Sequence, residues 1–265
     1  MAQKKQKNDY WARRTSKAQE RLTNKTIAET EAQLKKYYSK SMEKIIGQFE
    51  LTYNEVLSSI EEGKQPTPAD LYKLDSYWQM LGQTQGELQK LGDKQMVLLA
   101  DEFFKQYQGI YDSLAVPGEA SFSTIDTQLA KQMLNSIWCA DGKSWSDRVW
   151  QNTELLQQTL NDNLIHCLVV GKKPTELKKI LMEQFNVSYR RADMLVRTEM
   201  AHIQTEAAKQ RYKDYGIKEV EILADKDERR CDVCGKLHKK RFPINSQMPI
   251  PAHPNCRCCI VPVVE

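Results

Sequence analysis

Residues 231–258 read CDVCGKLHKKRFPINSQMPIPAHPNCRC, and this stretch frames a polar insert with metal-binding side chains. Cys231 and Cys234 form a C-x2-C pair, and His253, Cys256 and Cys258 follow at the other end. The insert is rich in Pro and Lys and is too polar to form a core of its own. A tetrahedral zinc ion would hold its ends together, because thiolate and imidazole are ligands that Zn²⁺ prefers. The stretch therefore predicts a small zinc-stapled module.

The predicted ligands are Cys231, Cys234, His253 and Cys256, with Cys258 as the alternative fourth ligand. Four protein ligands leave no position for water, which is typical of a structural zinc rather than a catalytic one. A disulfide or simple free thiols are the alternatives. A chain without a secretory signal is expected in a reducing compartment, which disfavours a stable disulfide.

Two neighbouring residues are not expected to bind the ion. Cys259 begins the apolar run CIVPVV and is expected to point into a small sheet. His238 stands before Lys239, Lys240 and Arg241, and these cations disfavour a bound metal ion.

Composition limits the class of protein. The chain has 265 residues, a net charge of +4 and no apolar run near the roughly 18 residues of a membrane span. It lacks a glycine-rich phosphate loop and a G-x-S-x-G elbow. We expect an intracellular protein with no membrane segment, no small-molecule substrate and no enzymatic activity.

Hydrophobic periodicity predicts long helices before the cysteine-rich stretch. Apolar residues recur at helical spacing from Ile27 to Ile60, and Gly63 is expected to end this first helix. Thr67 and Pro68 begin a second helical region that is expected to break at Gly82 and Gly92. Ser188 is expected to cap the last long helix.

The period changes after Gly216, which predicts two strands at residues 218–223 and 260–264. The fold class is thus mainly α (α+β), with long helices forming a helical body and a small C-terminal β module stapled by zinc. The predicted domains are a helical body at residues 1–187, with a long basic N-terminal helix, and the module at 188–265.

The last long helix carries Arg197, Glu199, His202 and Glu206 on a polar face. A Glu-x-x-His face occurs in di-iron bundles, but those need a second such motif, which this sequence lacks. The favoured interpretation is that Arg197 and Glu199 tie this helix to the zinc module. The clustered Trp138, Trp145 and Trp150 are likewise favoured as core residues over a base-stacking surface.

Basic residues concentrate in two places. Residues 1–44 carry twelve Lys/Arg against five Asp/Glu, and a second cluster runs from Lys236 to Arg241. Solvated surfaces are one interpretation, and contact with nucleic acid or an acidic partner is the other. Because residues 1–30 are polar and charged, their deletion is expected to impair partner docking more than folding.

The C-terminal part resembles the phage Mu F-like family of minor head, or head-morphogenesis, proteins. The resemblance covers about residues 192–262 and rests on Arg197-Thr198-Glu199, the following strand, Asp225, the C-x2-C pair and the closing HPNCRC. The upstream segment WSDRVW is similar to members from phages or prophages of Gram-positive bacteria. One departure is GKLHKKRF after the C-x2-C pair, where the family usually has an aspartate and a glycine before a Lys-Phe pair.

The resemblance implies a structural virion component in the capsid interior or at the portal vertex, present in the host cytoplasm during assembly. Its partners would be the portal protein and other head proteins. DNA is a further expected partner, through the basic N-terminal region and the Lys236–Arg241 loop, in packaging or delivery. Two alternatives stay open, namely a zinc-containing DNA-binding protein and an HNH-like nuclease, since C-x2-C with His-Pro-Asn-Cys is similar to such a site.

Overall fold

The computed structural model describes residues 2–59, 66–115, 125–224 and 230–264. In chain order the elements are α1 (Ala2–Ser58), α2 (Pro68–Tyr72), α3 (Asp75–Ser113), α4 (Thr127–Leu134), α5 (Trp145–Val170), α6 (Pro174–Asp214), β1 (Glu219–Leu223), α7 (Asp232–Leu237), β2 (Arg241–Pro243) and β3 (Cys259–Pro262). The predicted mainly helical fold with a small C-terminal sheet is confirmed. Gly63, the expected end of the first helix, and Asp225, part of the family resemblance, lie outside the described residues.

The chain packs as two compact units, each made from discontinuous segments. One unit contains residues 1–31, 99–145 and 194–265, and the other contains residues 32–98 and 146–193. The division predicted at residues 187/188 falls within α6, and the separate roles of the two predicted domains stay a prediction.

The expected helix breaks at Gly82 and Gly92 are wrong, because α3 is continuous through both. At Gly92 the reason for the glycine is packing. A Cβ placed there would lie 2.4 Å from the ring of Trp150 on α5. The missing side chain lets the indole approach the α3 backbone, so this glycine is a packing residue and not a stop signal.

The expected cap at Ser188 is also wrong, since α6 runs from Pro174 to Asp214 without interruption. Ser188 is buried within the unit of residues 32–98 and 146–193. Its carbonyl accepts a hydrogen bond from the Asn152 amide at 2.9 Å, and its hydroxyl lies 3.3 Å from the Tyr38 hydroxyl. The end of α6 was predicted correctly, and Gly216 follows it with φ of 71°.

Three short antiparallel strands lie in the order β2-β1-β3. Val220 and Ile222 of β1 are buried, while Ile222 pairs with Ile260 of β3 and Val220 pairs with Phe242 of β2. The strands predicted at 218–223 and 260–264 are confirmed with small shifts. Strand β2 was missed because its three residues, RFP, are too few to show an alternating pattern.

The sheet rests on the N-terminal part of α1. The Gln19 amide donates to the Ile260 carbonyl at 2.9 Å, and the backbone N–H of Val264 donates to the Asn8 side chain at 2.6 Å. Thr15, Gln19 and Thr23 are buried on this face of α1. These contacts indicate that residues 1–30 also contribute to folding, and the docking role expected of them stays a prediction.

Candidate metal centre

Cys231 and Cys234 are placed by the start of α7. Cys231 is the N-cap residue, and its sulfur accepts a hydrogen bond from the backbone N–H of Cys234 at 3.4 Å. A cap residue has an extended backbone, whereas the residue three positions on is already helical. This change of direction turns both sulfurs to the same side, and Cys234 is buried while Cys231 is half-buried.

His253, Cys256 and Cys258 lie in the loop that leads into β3. The loop closes with a hydrogen bond from the Cys256 N–H to the His253 carbonyl at 3.2 Å. Asn255 has φ of 59°, a left-handed conformation that Asn tolerates better than most residues. Its N–H donates to the Thr198 hydroxyl of α6 at 3.1 Å, which fixes the loop against the helix.

The two ends of the stretch meet at Cys234. Its sulfur lies 3.1 Å from His253 Nε2 and 3.8 Å from the Cys256 sulfur. Two overlapping groups of metal-ligating atoms result, Cys231-Cys234-His253 and Cys234-Cys256-Cys258, and within each group the atoms lie within 4.8 Å of one another. All five candidates from the sequence are therefore brought together.

The donor set suits a tetrahedral ion. With metal–sulfur bonds of about 2.3 Å, two sulfurs on one tetrahedral ion lie about 3.8 Å apart. The Cys234–Cys256 separation has this value. The cluster can hold a metal ion, and Cys258 shares a group with Cys256, so the choice of Cys231, Cys234, His253 and Cys256 as the ligand set remains a prediction.

His253 has the tautomer that a metal ligand needs. Its Nδ1 lies 2.8 Å from the Pro254 carbonyl. Because a carbonyl only accepts, Nδ1 carries the proton, and the lone pair of Nε2 is directed at Cys234. The same hydrogen bond raises the pKa of His253. A backbone carbonyl that orients a ligating imidazole is the usual outer partner of such a ligand.

The three buried thiols do not share one pKa. A hydrogen bond from Cys258 lowers the pKa of Cys256 to about 5, and the same contact together with burial raises the pKa of Cys258. Burial raises the pKa of Cys234 to about 12. These opposite shifts arise because the sulfurs lie within hydrogen-bond distance of one another, and a bound cation would replace the shared protons.

The two residues that were set aside as ligands have other contacts. Cys259 is buried in β3, where it pairs with Leu223. His238 ends α7, and its Nδ1 accepts a hydrogen bond from the Ala224 N–H at 3.2 Å. Within the described part of the chain, neither residue belongs to a group of potential metal ligands.

Side chains on the polar face of α6 contact α1 and the tryptophan segment, and the tie of Arg197 and Glu199 to the zinc module stays a prediction. Arg197 forms an ion pair with Glu31, and the buried Glu199 accepts a hydrogen bond from the Trp138 indole at 3.0 Å. His202 stacks on the same indole, with ring centroids 4.3 Å apart. One contact between this helix and the cysteine loop is made by Thr198, which stands between Arg197 and Glu199. Thr198 belongs to a motif that carries the family resemblance, but nothing in the sequence indicated that its hydroxyl contacts the cysteine loop.

The tryptophan segment contributes to packing, as predicted. Trp145 is buried against Phe103 with centroids 5.4 Å apart, and Trp138 covers His202. Burial lowers the pKa of His202 to about 4, with a smaller effect from Lys209. Among the described residues, Glu199, His202 and Glu206 do not form a group that could hold a metal ion.

The second basic cluster contains one ion-paired residue and three exposed lysines. Arg241 pairs with Glu221 at 3.4 Å across β1 and β2, while Lys236, Lys239 and Lys240 are exposed. Lys239 has φ of 64°, which turns the chain sharply between α7 and β2. These exposed cations follow Cys234 closely in the chain.

Comparisons with known proteins identify one family. Residues 158–261 match the family model of phage Mu protein F like proteins, which confirms the resemblance seen in the sequence. The match begins further upstream than the sequence suggested, within α5, and it spans less than half of the chain. No curated protein and no solved structure matches significantly. No helix among the described residues is long and apolar enough to cross a membrane. The similarity to phage Mu protein F like proteins thus covers α6 and the candidate metal centre.

Proposed function

We propose that this chain is a minor structural protein of a tailed-phage head that acts at or near the portal during head assembly. The observation that carries the proposal is the family match over residues 158–261, which contain all five candidate ligands and the whole of α6. The portal protein and other head proteins would be its partners. It would act in the host cytoplasm during assembly and remain in the capsid interior or at the portal vertex.

The metal in this proposal is a structural zinc. Cys231, Cys234, His253 and Cys256 would hold it, with Cys258 as the alternative to Cys256. Bound zinc would supply local stability, because the insert between the C-x2-C pair and the loop of His253, Cys256 and Cys258 has little apolar surface of its own. The loop is also anchored to α6 by Thr198 and the sheet to α1 by Gln19. A module fixed in this way presents a rigid surface to a partner.

Deletion and complementation of the phage gene test this role. Virions from the wild-type phage should contain the chain when analysed by mass spectrometry, and particles made without it should be defective in head assembly or DNA content. Complementation with Cys234→Ser should fail, whereas Cys139→Ser, a cysteine outside the cluster, should restore infectious particles. Absence of the chain from both virions and assembling heads would refute the proposal.

DNA contact is a second candidate function, favoured by the exposed Lys236, Lys239 and Lys240 beside the metal centre. Phosphate contacts by these lysines would make the affinity fall steeply with salt. Measurements of DNA affinity at two salt concentrations, with a Lys239→Gln/Lys240→Gln variant, test this. Affinity that does not change with salt or with these substitutions would reject it.

The structure favours a binding protein over an HNH-like nuclease. His253 would have to serve as the general base, but its Nδ1 donates to Pro254 and its Nε2 faces the Cys234 sulfur. A base needs a nitrogen within reach of the attacking water. We expect no nicking of supercoiled plasmid in Mg²⁺ or Mn²⁺, and nicking that is abolished by His253→Ala would reverse this conclusion.

A further inference from the structure

A cleft lies between α1 and α6 within the unit of residues 32–98 and 146–193. Its volume is about 360 Å³, which falls in the range of small-ligand pockets, about 300–1,000 Å³. The residues that line it recur at steps of three and four along each helix, so each helix contributes one face. They are Lys35, Tyr38, Ser39, Met42, Phe185, Asn186, Tyr189 and Arg190.

The rim of the cleft is cationic. Lys35 from α1 and Arg190 from α6 are exposed, and the lining contains no carboxylate. Neither charge has an ion pair within the described part of the chain. Two unpaired cations on opposite helices attract an anion to the space between them. A guanidinium beside an ammonium is well suited to phosphate, which arginine binds through two parallel hydrogen bonds.

The interior of the cleft is aromatic and apolar. Phe185 and Tyr38 are almost fully buried, and Tyr189 packs edge-on against Tyr38 with centroids 5.6 Å apart. The Tyr38 hydroxyl is engaged by Gln95 and Ser188, each at 3.3 Å. Burial raises the pKa of Tyr38 to about 12, so no phenolate competes with a bound anion. Ser39 and Asn186 add hydrogen-bonding groups between floor and rim.

We propose that this cleft binds a nucleotide, with its phosphate between Lys35 and Arg190 and its base against Tyr189 and the apolar floor. Inorganic phosphate alone would use the rim and leave the floor empty, whereas a base gains contact area on an aromatic surface. A free nucleotide and a nucleotide within a single DNA strand share this chemistry. The site is separate from the metal centre, and it does not depend on a role in head assembly.

Binding to the full-length protein tests the site, with fluorescence anisotropy of a labelled oligo-dT of about ten nucleotides, a length that one such surface can engage. Free ATP and inorganic phosphate serve as competitors. Arg190→Gln and Lys35→Gln should each raise Kd about tenfold, since each removes a charge-assisted hydrogen bond. Arg191→Gln is the matched control, because it removes the same charge from the next residue of α6, which is exposed and outside the cleft.

The competitors distinguish a free nucleotide from a single DNA strand as the ligand. Displacement of the oligonucleotide by ATP shows that a single nucleotide suffices, and displacement only by unlabelled oligo-dT shows that the strand is the ligand. Cross-linking of an iodouracil-substituted oligonucleotide to the peptide that contains Tyr189 would support the site without any substitution. The proposal fails if no probe binds at low salt, if phosphate competes as well as ATP, or if Arg191→Gln weakens binding as much as Arg190→Gln.

Discussion

The hydroxyl of Thr198, in the middle of α6, accepts a hydrogen bond from the backbone N–H of Asn255 at 3.1 Å. Asn255 lies between His253 and Cys256, two of the candidate metal ligands. The same hydroxyl donates to the Met194 carbonyl one turn earlier at 2.7 Å. One threonine thus connects the helix to the loop that carries half of the metal centre.

Thr198→Val should loosen this loop while the helix stays intact. Valine keeps the shape of threonine but leaves the Asn255 N–H without its acceptor, and the loss of an exposed hydrogen bond of this kind costs about 0.5–1.5 kcal/mol. We expect faster reaction of Cys256 with a thiol reagent and faster zinc loss to a chelator. Thr198→Ser keeps the hydroxyl and should behave as wild type. Equal thiol reactivity in both variants would show that this contact does not position the loop.

Cys234→Ser should remove the metal more completely than any other single substitution. Cys234 belongs to both groups of potential ligands, whereas Cys231, His253, Cys256 and Cys258 each belong to one. Zinc content of the purified protein, measured by mass spectrometry, should fall from about one per chain to near zero. Cys256→Ser and Cys258→Ser should keep part of the metal if either can complete the site.

Cys231→Ser should loosen the C-terminal module and leave most helix content in place, because the proposed zinc acts locally. Far-ultraviolet circular dichroism gives the helix content, and proteolysis followed by mass spectrometry locates the loosened segment. Cys139→Ser, outside both groups, is the control for the loss of a thiol. A large loss of helix in Cys231→Ser alone would show that the module and the helices unfold together.

Gly92→Ala should destabilise the protein although alanine is the better helix former. Its Cβ would lie 2.4 Å from the Trp150 ring, so the indole or the helix must move. Overpacking of this kind costs about 1–3 kcal/mol of unfolding free energy. Gly86→Ala, on the same helix with nothing within 4 Å of the added carbon, should instead gain about 0.5–1 kcal/mol. Urea unfolding of both variants measures the difference, and an equal gain in both would contradict the packing role of Gly92.

The glycines of α3 show how far the sequence could predict the fold. Apolar periodicity located the long helices, and the alternation at residues 219–223 located β1. The breaks expected at Gly82 and Gly92 failed because a glycine at a close helix contact and a glycine at a helix end look alike in one sequence. The cap expected at Ser188 failed for a similar reason, since its hydroxyl pairs with Tyr38, a partner far away in the chain.

The residues of the candidate metal centre were easier to predict than the buried polar contacts that support the module. Ligand type and short spacing identified Cys231, Cys234 and the HPNCRC loop, because a metal site needs few residues of restricted chemistry. The buried polar face formed by Thr15, Gln19 and Thr23 gave no signal. Buried polar side chains are stabilised by specific distant partners, and hydrophobic periodicity does not reveal such partners.

Gln19→Ala should destabilise the C-terminal sheet. The Gln19 amide donates to the Ile260 carbonyl at 2.9 Å and lies 3.3 Å from the Tyr212 hydroxyl, all in a buried setting. Loss of these contacts should cost about 1–3 kcal/mol, and hydrogen exchange should accelerate in β3. Arg21→Ala, exposed on the same helix, should change neither quantity by more than about 0.5 kcal/mol. An equally small effect of Gln19→Ala would show that this contact of the N-terminal region does not stabilise the sheet.

The pH dependence of stability should contain a contribution from His202. Burial lowers its pKa in the folded protein to about 4, from 6.5 for the free side chain. Between these values the unfolded chain binds a proton that the folded protein does not, so stability is full above pH 6.5 and is lost as the pH falls toward 4. At pH 5 the loss is about 2 kcal/mol. His202→Phe keeps a flat ring against Trp138 but cannot titrate, so it should remove this part of the pH dependence. Urea unfolding at pH 7 and pH 5 measures it for both proteins, and protonation of the metal centre affects both alike. Identical losses in the two proteins would show that His202 is already accessible to protons in the folded state.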